Sequence, residues 1–249
     1  MGLSHQIDGG GVAEIVMSFP PVNALGARAW FDLAALVRGL GDDPAVKVVI
    51  LAAEGRGFNA GVDIKEIQRA EGYEALIGAN RGCYAAFAAV YECAVPVIAA
   101  VHGYCLGGGI GLVGNADIIV ASDDATFGLP EVDRGALGAA THLARLVPQH
   151  RMRAMVYTGE RATAEELHRY GSVLRVVPAT QLRDAARAVA ATIAAKSATV
   201  IRAAKESLNG IDPVDVKRSY RFEQGFTFEL NLSGVADEAR RAFVEKRER

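Results

Sequence analysis

Two glycine-rich stretches and one acidic segment carry the residue types that could do chemistry. The stretches are GRGFNAGVDIKE at 55–66 and GYCLGGGIGLVGN at 103–115, and the acidic segment is FGLPE at 127–131. A glycine loop that enters a helix leaves backbone N–H groups without acceptors, and such groups can hold an oxygen that becomes negative during a reaction. One donor seldom suffices, so the two stretches together predict a two-donor oxyanion hole.

The glycines allow two other interpretations. Residues 109–114 fit the spacing G-x-G-x-x-G of dinucleotide-binding folds, but the next apolar strand, DIIVAS, begins too soon for the helix such a fold needs. That strand also lacks an acidic residue at its end. The second interpretation is that Gly111 and Gly114 allow a buried helix to pack closely, and this role is compatible with an oxyanion hole.

The composition excludes several classes of protein. The chain has 249 residues, of which 51% are hydrophobic and 22% charged, and its formal net charge is −2. These values predict a buried core and give no electrostatic basis for binding nucleic acid. The uncharged segment 93–116 contains Pro96 and six glycines, too many interruptions for a membrane helix.

The cysteines and the first residues bear on metal binding and location. The three cysteines, Cys83, Cys93 and Cys105, show no CxxC spacing, so we predict no metal site and a reducing compartment. The first ten residues lack the charged and apolar regions of a signal peptide. We therefore expect a cytoplasmic protein.

Helices and strands alternate along the first part of the chain. A hairpin is predicted around DGGG at 8–11, apolar strands at VKVVILAAE, VPVIAAV and DIIVAS, and a long helix over Tyr73–Cys93 with Leu76, Ile77 and Phe87 turned inward. From about Thr163 onward, helical spacing dominates. The pattern predicts an α/β core over residues 1–177 and a helical C-terminal region over residues 178–249.

These stretches resemble the signatures of the crotonase (enoyl-CoA hydratase/isomerase) superfamily. GRGFNAGVDIKE is similar to the first signature, HGYCLGGGIGL with DIIVASDDATFGLPE to the second, and AFVEKR to the closing helix. The resemblance covers essentially the whole chain. It implies a spiral of ββα turns followed by helices that trimerise, and hence a homotrimer or a homohexamer.

The resemblance also implies roles for individual residues. The N–H groups of Val62 and Gly108 would bind the thioester carbonyl of an acyl-CoA substrate and stabilise its enolate, so that CoA is part of the substrate and no separate cofactor is implied. The segment Asp63, Ile64 and Lys65 would bind the CoA moiety, although Asp63 heads a predicted helix and is also a natural cap. Lys246 would meet a CoA phosphate, the alternative being an ordinary solvated lysine.

The acid–base residues depart from the family pattern. Hydratases of this family carry two glutamates, and this chain keeps only the second, Glu131, while Gly111 replaces the first. Addition of water across a double bond uses both carboxylates, so the loss argues against ordinary hydration and predicts space at Gly111 for a bulkier substrate. Asp133, Arg134 and His142 are further candidates for the pocket, with a structural histidine as the alternative for His142.

A narrower likeness concerns the substrate. Stretches such as YECAVPVIAAV, RGALGAATHLARLVPQH and YRFEQGFTFELNL resemble the steroid-ring-opening CoA-thioester hydrolases of actinobacterial cholesterol degradation. This likeness implies hydrolytic, retro-Claisen cleavage of a carbon–carbon bond in a bicyclic diketone CoA thioester, with Glu131 as general base. Two alternatives stay open: an enoyl-CoA hydratase or isomerase that uses Glu131 alone, and a non-catalytic scaffold that binds acyl-CoA.

Overall fold

A six-stranded sheet forms the centre of the molecule. The computed structural model describes residues 2–248, apart from the side chains of Val244 and of residues 246–248. The sheet has the spatial order β1 (Gly2–Ile7), β2 (Val12–Ser18), β4 (Val48–Ala53), β6 (Val97–Val101), β8 (Ile118–Ser122) and β11 (Arg175–Val177). The first two strands form the predicted antiparallel hairpin, and every other pair in the sheet is parallel.

Two small sheets lie beside the large one. The first pairs β3 (Ala24–Leu25) with β5 (Gly61–Val62), and the second has the order β10 (Arg161–Thr163), β9 (Thr126–Gly128) and β7 (Tyr104–Leu106). Successive turns of the chain give one strand to the large sheet and one to a small sheet before a helix follows. This repetition is the predicted ββα spiral.

Helices connect the turns of the spiral and form the C-terminal region. The helices of the spiral are α1 (Ala27–Asp42), α2 (Ile64–Arg69), α3 (Glu74–Glu92), α4 (Gly108–Val113), α5 (Ala140–Leu143), α6 (Gln149–Thr158) and α7 (Ala164–Arg169), with a 3₁₀ helix over Pro130–Arg134. A 3₁₀ helix over Ala179–Gln181 is followed by α8 (Leu182–Ala194), α9 (Ala198–Gly210), α10 (Val216–Leu232) and α11 (Val235–Glu248).

Apolar side chains cover both faces of the large sheet. On one face the sheet packs against α1 and α3 through residues such as Trp30, Leu33 and Phe87. On the other face, α8 supplies Leu182 and Val189, so a helix beyond residue 177 completes the core. The division of the chain at residue 177 stays a prediction.

Two observations refine the helical predictions. Ile77, predicted to face inward, is 37% exposed, because the inward face of α3 is formed instead by Leu76, Ala79, Cys83 and Phe87. Among residues 2–248, the structure contains no helix with the length and apolarity that crossing a membrane requires.

Candidate active site

The two glycine loops meet at the N-terminus of α4. A Cβ atom built on Gly61 would lie only 3.0 Å from the backbone nitrogen of Gly108, so the two backbones are in direct contact. Gly107 adopts φ = 57°, a left-handed conformation that favours glycine, and it turns the chain from β7 into α4. Gly108 is the first residue of α4, and in the described part of the chain its N–H finds no acceptor.

The other predicted donor, the N–H group of Val62, points away from the two-stranded sheet formed by β3 and β5. Asp63 N–H donates to the Leu25 carbonyl at 3.0 Å, and Leu25 is the partner of Val62 in the β3–β5 pair. Because peptide groups alternate in direction along a strand, the Val62 N–H projects from the opposite edge of β5. Both predicted donors therefore belong to the same junction between the loops.

A buried asparagine ties this junction together. Asn59 is fully buried, its Nδ2 donates to the Asn23 carbonyl at 2.6 Å, and its Oδ1 accepts from Gly61 N–H at 2.8 Å. Its carbonyl also accepts from Leu106 N–H at 2.8 Å. One side chain and its backbone thus hold the first loop to β3 and to the strand that leads into the second loop.

Glu131 lies directly against the second glycine loop. The Gly107 N–H donates to the Gly128 carbonyl at 3.1 Å, which fixes β9 and the 3₁₀ helix that follows it. A Cβ on Gly107 would lie 2.5 Å from Glu131 Oε1, so the carboxyl group closely approaches the loop at this point. The carboxyl group of Glu131 and the Gly108 N–H therefore belong to one continuous surface.

The environment of Glu131 suits a general base. Its Oε2 atom is buried and has no hydrogen-bond partner within the described part of the chain. Desolvation by burial raises the pKa of Glu131 to about 7, an effect that the Arg134 charge opposes in part and the Glu223 charge reinforces. A carboxyl group with this pKa can both take and return a proton near neutral pH.

A cavity of about 120 Å³ joins these groups. Of the residues predicted from the sequence, it is lined by Val62, Ile64, Gly108, Glu131 and Arg134. The rest of its wall is mainly apolar and comes from the loops, α2, α3, the segment 136–139, α10 and α11. In the described part of the chain, no three His, Cys, Asp or Glu side chains form a group that could hold a metal ion.

Gly111 does not open space for a substrate, and this prediction was wrong. Gly111 is buried in α4, and a Cβ atom on it would overlap the ring of Phe87. Phe87 comes from α3, lines the cavity and packs edge-on against Trp30 at 5.7 Å. The place where a hydratase-like carboxylate would begin is therefore filled by an aromatic ring.

His142 lies behind the cavity wall. It is 1% exposed, its ring contacts those of Phe87 and Tyr220 at 5.1 and 4.9 Å, and its Nδ1 lies 3.1 Å from Asn115 Nδ2. Desolvation lowers the pKa of His142 to about 3, and the Arg145 charge contributes in the same direction. These contacts favour a structural role for His142, because its neutral imidazole is packed between two rings and does not line the cavity.

Asp63, Lys65 and Asp133 do not line the cavity. Asp63 caps α2 by accepting from Lys65 N–H at 2.9 Å, and the Lys65 side chain is exposed. Asp133 is exposed and lies against Gly159 rather than against Glu131. Lys246 belongs to α11, but its side chain is outside the described part of the structure.

Sequence reasoning missed the part of the wall supplied by the distant helices. The polar residues in this part of the wall come from α3, α10 and α11. They are Asn80, Tyr220, Thr227, Asn231 and Arg240. Thr227 accepts from Leu137 N–H at 3.2 Å and thereby holds the 136–139 segment, which forms another side of the cavity. The aromatic residues of YRFEQGFTFEL are a signal in the sequence, but their spacing fits a contact with the core or with another subunit equally well.

The Phe87–Gly111 contact can be tested by unfolding measurements. We expect Gly111→Ala to reduce the free energy of unfolding by about 1–3 kcal/mol, because the added methyl group overpacks the ring. In a Phe87→Ala background the same change is expected to cost at least about 1 kcal/mol less. Urea unfolding of the four proteins gives the coupling, and equal costs in both backgrounds would refute the contact. Gly39→Ala is a matched control, since nothing lies within 4 Å of its added Cβ.

The sequence matches the enoyl-CoA hydratase/isomerase family model over residues 8–249. The chain belongs to this family, which confirms the resemblance. A solved enoyl-CoA hydratase/isomerase from Pseudoalteromonas atlantica T6c superposes with a TM-score of 0.87, covering 99% of this chain and 98% of that one, at 24% identity. At this identity the likeness concerns the fold, and it confirms the predicted crotonase-like architecture.

Two curated relatives are far more similar. A protein of Rhodococcus jostii (strain RHA1) is 66% identical over 245 residues, covering 98% of this chain and 95% of the relative. A protein of Mycobacterium tuberculosis (strain ATCC 25618 / H37Rv) is 66% identical over 236 residues, covering 95% and 96%. Both are named (7aS)-7a-methyl-1,5-dioxo-2,3,5,6,7,7a-hexahydro-1H-indene-carboxyl-CoA hydrolase. The narrower likeness to hydrolases of bicyclic diketone CoA thioesters is thus confirmed.

Proposed function

We propose that this protein hydrolyses a carbon–carbon bond in a bicyclic diketone CoA thioester derived from the C and D rings of a steroid. The observation that carries the proposal is the buried, unpartnered carboxyl oxygen of Glu131 beside the Gly107–Gly108 loop. It supports the assignment of one general base beside one oxyanion hole. Support for the substrate comes from the two relatives, each 66% identical, whose names describe hydrolases of a bicyclic dioxo CoA thioester.

The reaction begins with the thioester oxygen held by the N–H groups of Val62 and Gly108. Glu131 takes a proton from water, and the resulting hydroxide adds to the ring ketone that adjoins the ring junction. The tetrahedral alkoxide then collapses and breaks the bond between the ketone carbon and the junction carbon. The electron pair of that bond is delocalised through the neighbouring double bond towards the thioester oxygen, where the two donors stabilise it.

Proton balance requires only Glu131. The protonated carboxyl returns its proton to the carbanion, and the acid formed at the former ketone ionises to a carboxylate. A pKa of about 7 allows Glu131 to play both parts near neutral pH. The net change is the addition of one water molecule and the opening of one ring.

The same geometry disfavours ordinary hydration. Hydration of an enoyl-CoA in this family uses a second carboxylate from α4, and in this chain Phe87 fills the space beside Gly111 where it would start. An apolar ring there suits a fused hydrocarbon substrate better than a water molecule that must be held by two carboxylates.

Incubation with the bicyclic diketone CoA thioester tests the proposal directly. We expect the product to gain the mass of one water and to carry a new carboxylate, as read by mass spectrometry. Crotonyl-CoA, assayed by loss of enoyl absorbance, is the comparison substrate. Faster turnover of crotonyl-CoA would support a hydratase instead, and CoA-ester binding without turnover of either compound would support a non-catalytic scaffold.

An assembly of three or six chains is part of this proposal. Large apolar side chains remain exposed on α9 and α10, among them Val200 at 63%, Leu208 at 61%, Phe222 at 71% and Leu232 at 69%. Faces of this kind are normally covered by another chain. In such an assembly Lys246 would reach a CoA phosphate, and the three unpaired cysteines suit a cytoplasmic location.

Light scattering at micromolar concentration measures the assembly. We expect a mass of three or six chains for the parent protein, and dissociation of the Phe222→Glu variant because its carboxylate would be buried without a partner. A stable monomer of the parent protein would contradict this part of the proposal.

A further inference from the structure

Arg134 brings a positive charge to the wall that holds the general base. It follows Glu131 by three residues in the 3₁₀ helix Pro130–Arg134, and side chains at this spacing project from the same side of such a helix. Both residues line the cavity. The Arg134 charge opposes the upward shift of the Glu131 pKa.

The guanidinium of Arg134 is held in place by the C-terminal helix. Its Cζ atom lies 4.4 Å from the centroid of the Phe243 ring in α11. The same helix packs closely here, since a Cβ on Gly135 would meet Ala236 at 2.5 Å. Stacking on an aromatic face fixes the position of an arginine side chain.

The proposed hydrolysis generates negative charge at two separate oxygens. The first is the thioester oxygen, which the N–H groups of Val62 and Gly108 hold throughout and which becomes negative when the carbon–carbon bond breaks. The second is the oxygen of the attacked ketone, which is an alkoxide after water adds and part of a carboxylate at the end. The two backbone donors cannot serve both oxygens, so the second requires another donor. Hydration of an enoyl thioester has no such second oxyanion.

We propose that Arg134 is a catalytic residue that stabilises the alkoxide formed at the ring ketone and then binds the new carboxylate. This role rests on the proposed function. A guanidinium matches a carboxylate through two parallel hydrogen bonds, which suits it to the product as well as to the intermediate. Glu131 and Arg134 thus act on the same carbon, the first by delivering hydroxide and the second by neutralising the oxygen.

Kinetics of Arg134→Met and Arg134→Lys test this role with the bicyclic thioester as substrate. For Arg134→Met we expect kcat to fall by about 10²–10³-fold, as for loss of other oxyanion donors, with KM changed only a few-fold. The ring-opened carboxylate product should inhibit this variant at least about tenfold more weakly than it inhibits the parent. Arg134→Lys should lose less kcat and less product affinity, because lysine keeps the positive charge but not the paired donors of a guanidinium. Arg28→Met is the matched control, because Arg28 has an 89% exposed side chain.

Three results would overturn the role. An unchanged kcat in folded Arg134→Met would show that Arg134 is not catalytic. Equal weakening of binding for the substrate, the product and a CoA ester without a ring ketone would assign Arg134 to the CoA moiety instead. If the parent protein itself leaves the bicyclic thioester intact, the proposed function fails first. Circular dichroism verifies folding, and Arg134→Lys carries the test if the methionine variant does not fold.

Discussion

Replacing Glu131 with glutamine is expected to lower kcat by about 10²–10⁴-fold while CoA-ester binding stays within a few-fold. Glutamine keeps the shape of the side chain but cannot accept the proton of the attacking water. Steady-state kinetics with the bicyclic thioester measures the change. Glu165→Gln, at an exposed position on α7, is the control for the loss of one carboxylate.

The pH dependence gives an independent measure of the same group. In the proposed mechanism the Glu131 carboxylate is the active form. Because burial raises the pKa of this group to about 7, kcat/KM of the parent protein should rise with pH through neutrality and then level off. Glu131→Gln should lack this rise in whatever activity remains. A profile that is flat between pH 6 and pH 8 in the parent protein would argue against Glu131 as the base.

The substitution should also increase stability at the pH where it removes activity. The folded-state pKa of Glu131 is raised above its ordinary value of 4.5, so the parent protein loses stability as pH rises from about 4.5 to about 7. Glutamine carries no charge to desolvate, and we expect a gain of about 1–3 kcal/mol at pH 8 and almost none near pH 4.5. Urea unfolding at both values measures this difference, and a variant less stable than the parent at pH 8 would contradict it.

Gly108→Pro is expected to reduce kcat by about 10²–10³-fold relative to Gly108→Ala. Both substitutions place a Cβ against the Trp30 ring, 2.8 Å from its Cζ2 atom, but only proline removes the N–H. Proline is also well tolerated at the first position of a helix. The ratio between the two variants therefore isolates the donor from the steric effect.

The comparison needs two checks. Circular dichroism and thermal unfolding should show that both variants fold, since each must displace Trp30. If both fold and their kcat values agree within a few-fold, the Gly108 N–H does not contribute to catalysis. Val62 would then have to act without a second donor from α4.

The sequence allowed prediction of the parts of the site that lie within contiguous stretches. Val62, Gly108 and Glu131 are each next to a glycine loop or a strand end, where backbone geometry constrains what the residue can do, and the structure brings all three to one cavity. Asp63 was predicted as a helix cap, and it makes that contact. Local rules suffice for such residues.

Residues that depend on distant packing could not be predicted in the same way. Tyr220 and Arg240 reach the cavity from helices that begin more than 100 residues after the second glycine loop, and an amphipathic helix does not reveal which face closes a site. Gly111 shows a second limit. A glycine in a sequence signals a missing side chain, but only the folded chain shows that Phe87 occupies the vacated volume.

The contact between Phe87 and Gly111 also constrains how this chain can change over generations. A carboxylate introduced at position 111 alone collides with a buried ring, and a smaller residue at position 87 alone leaves a cavity in the core, a change that typically costs about 3–5 kcal/mol. Each single step towards a two-carboxylate site is therefore harmful in the absence of the other. Any route from this chain to a two-carboxylate site therefore crosses a fitness valley, and packing rather than catalysis opposes the change.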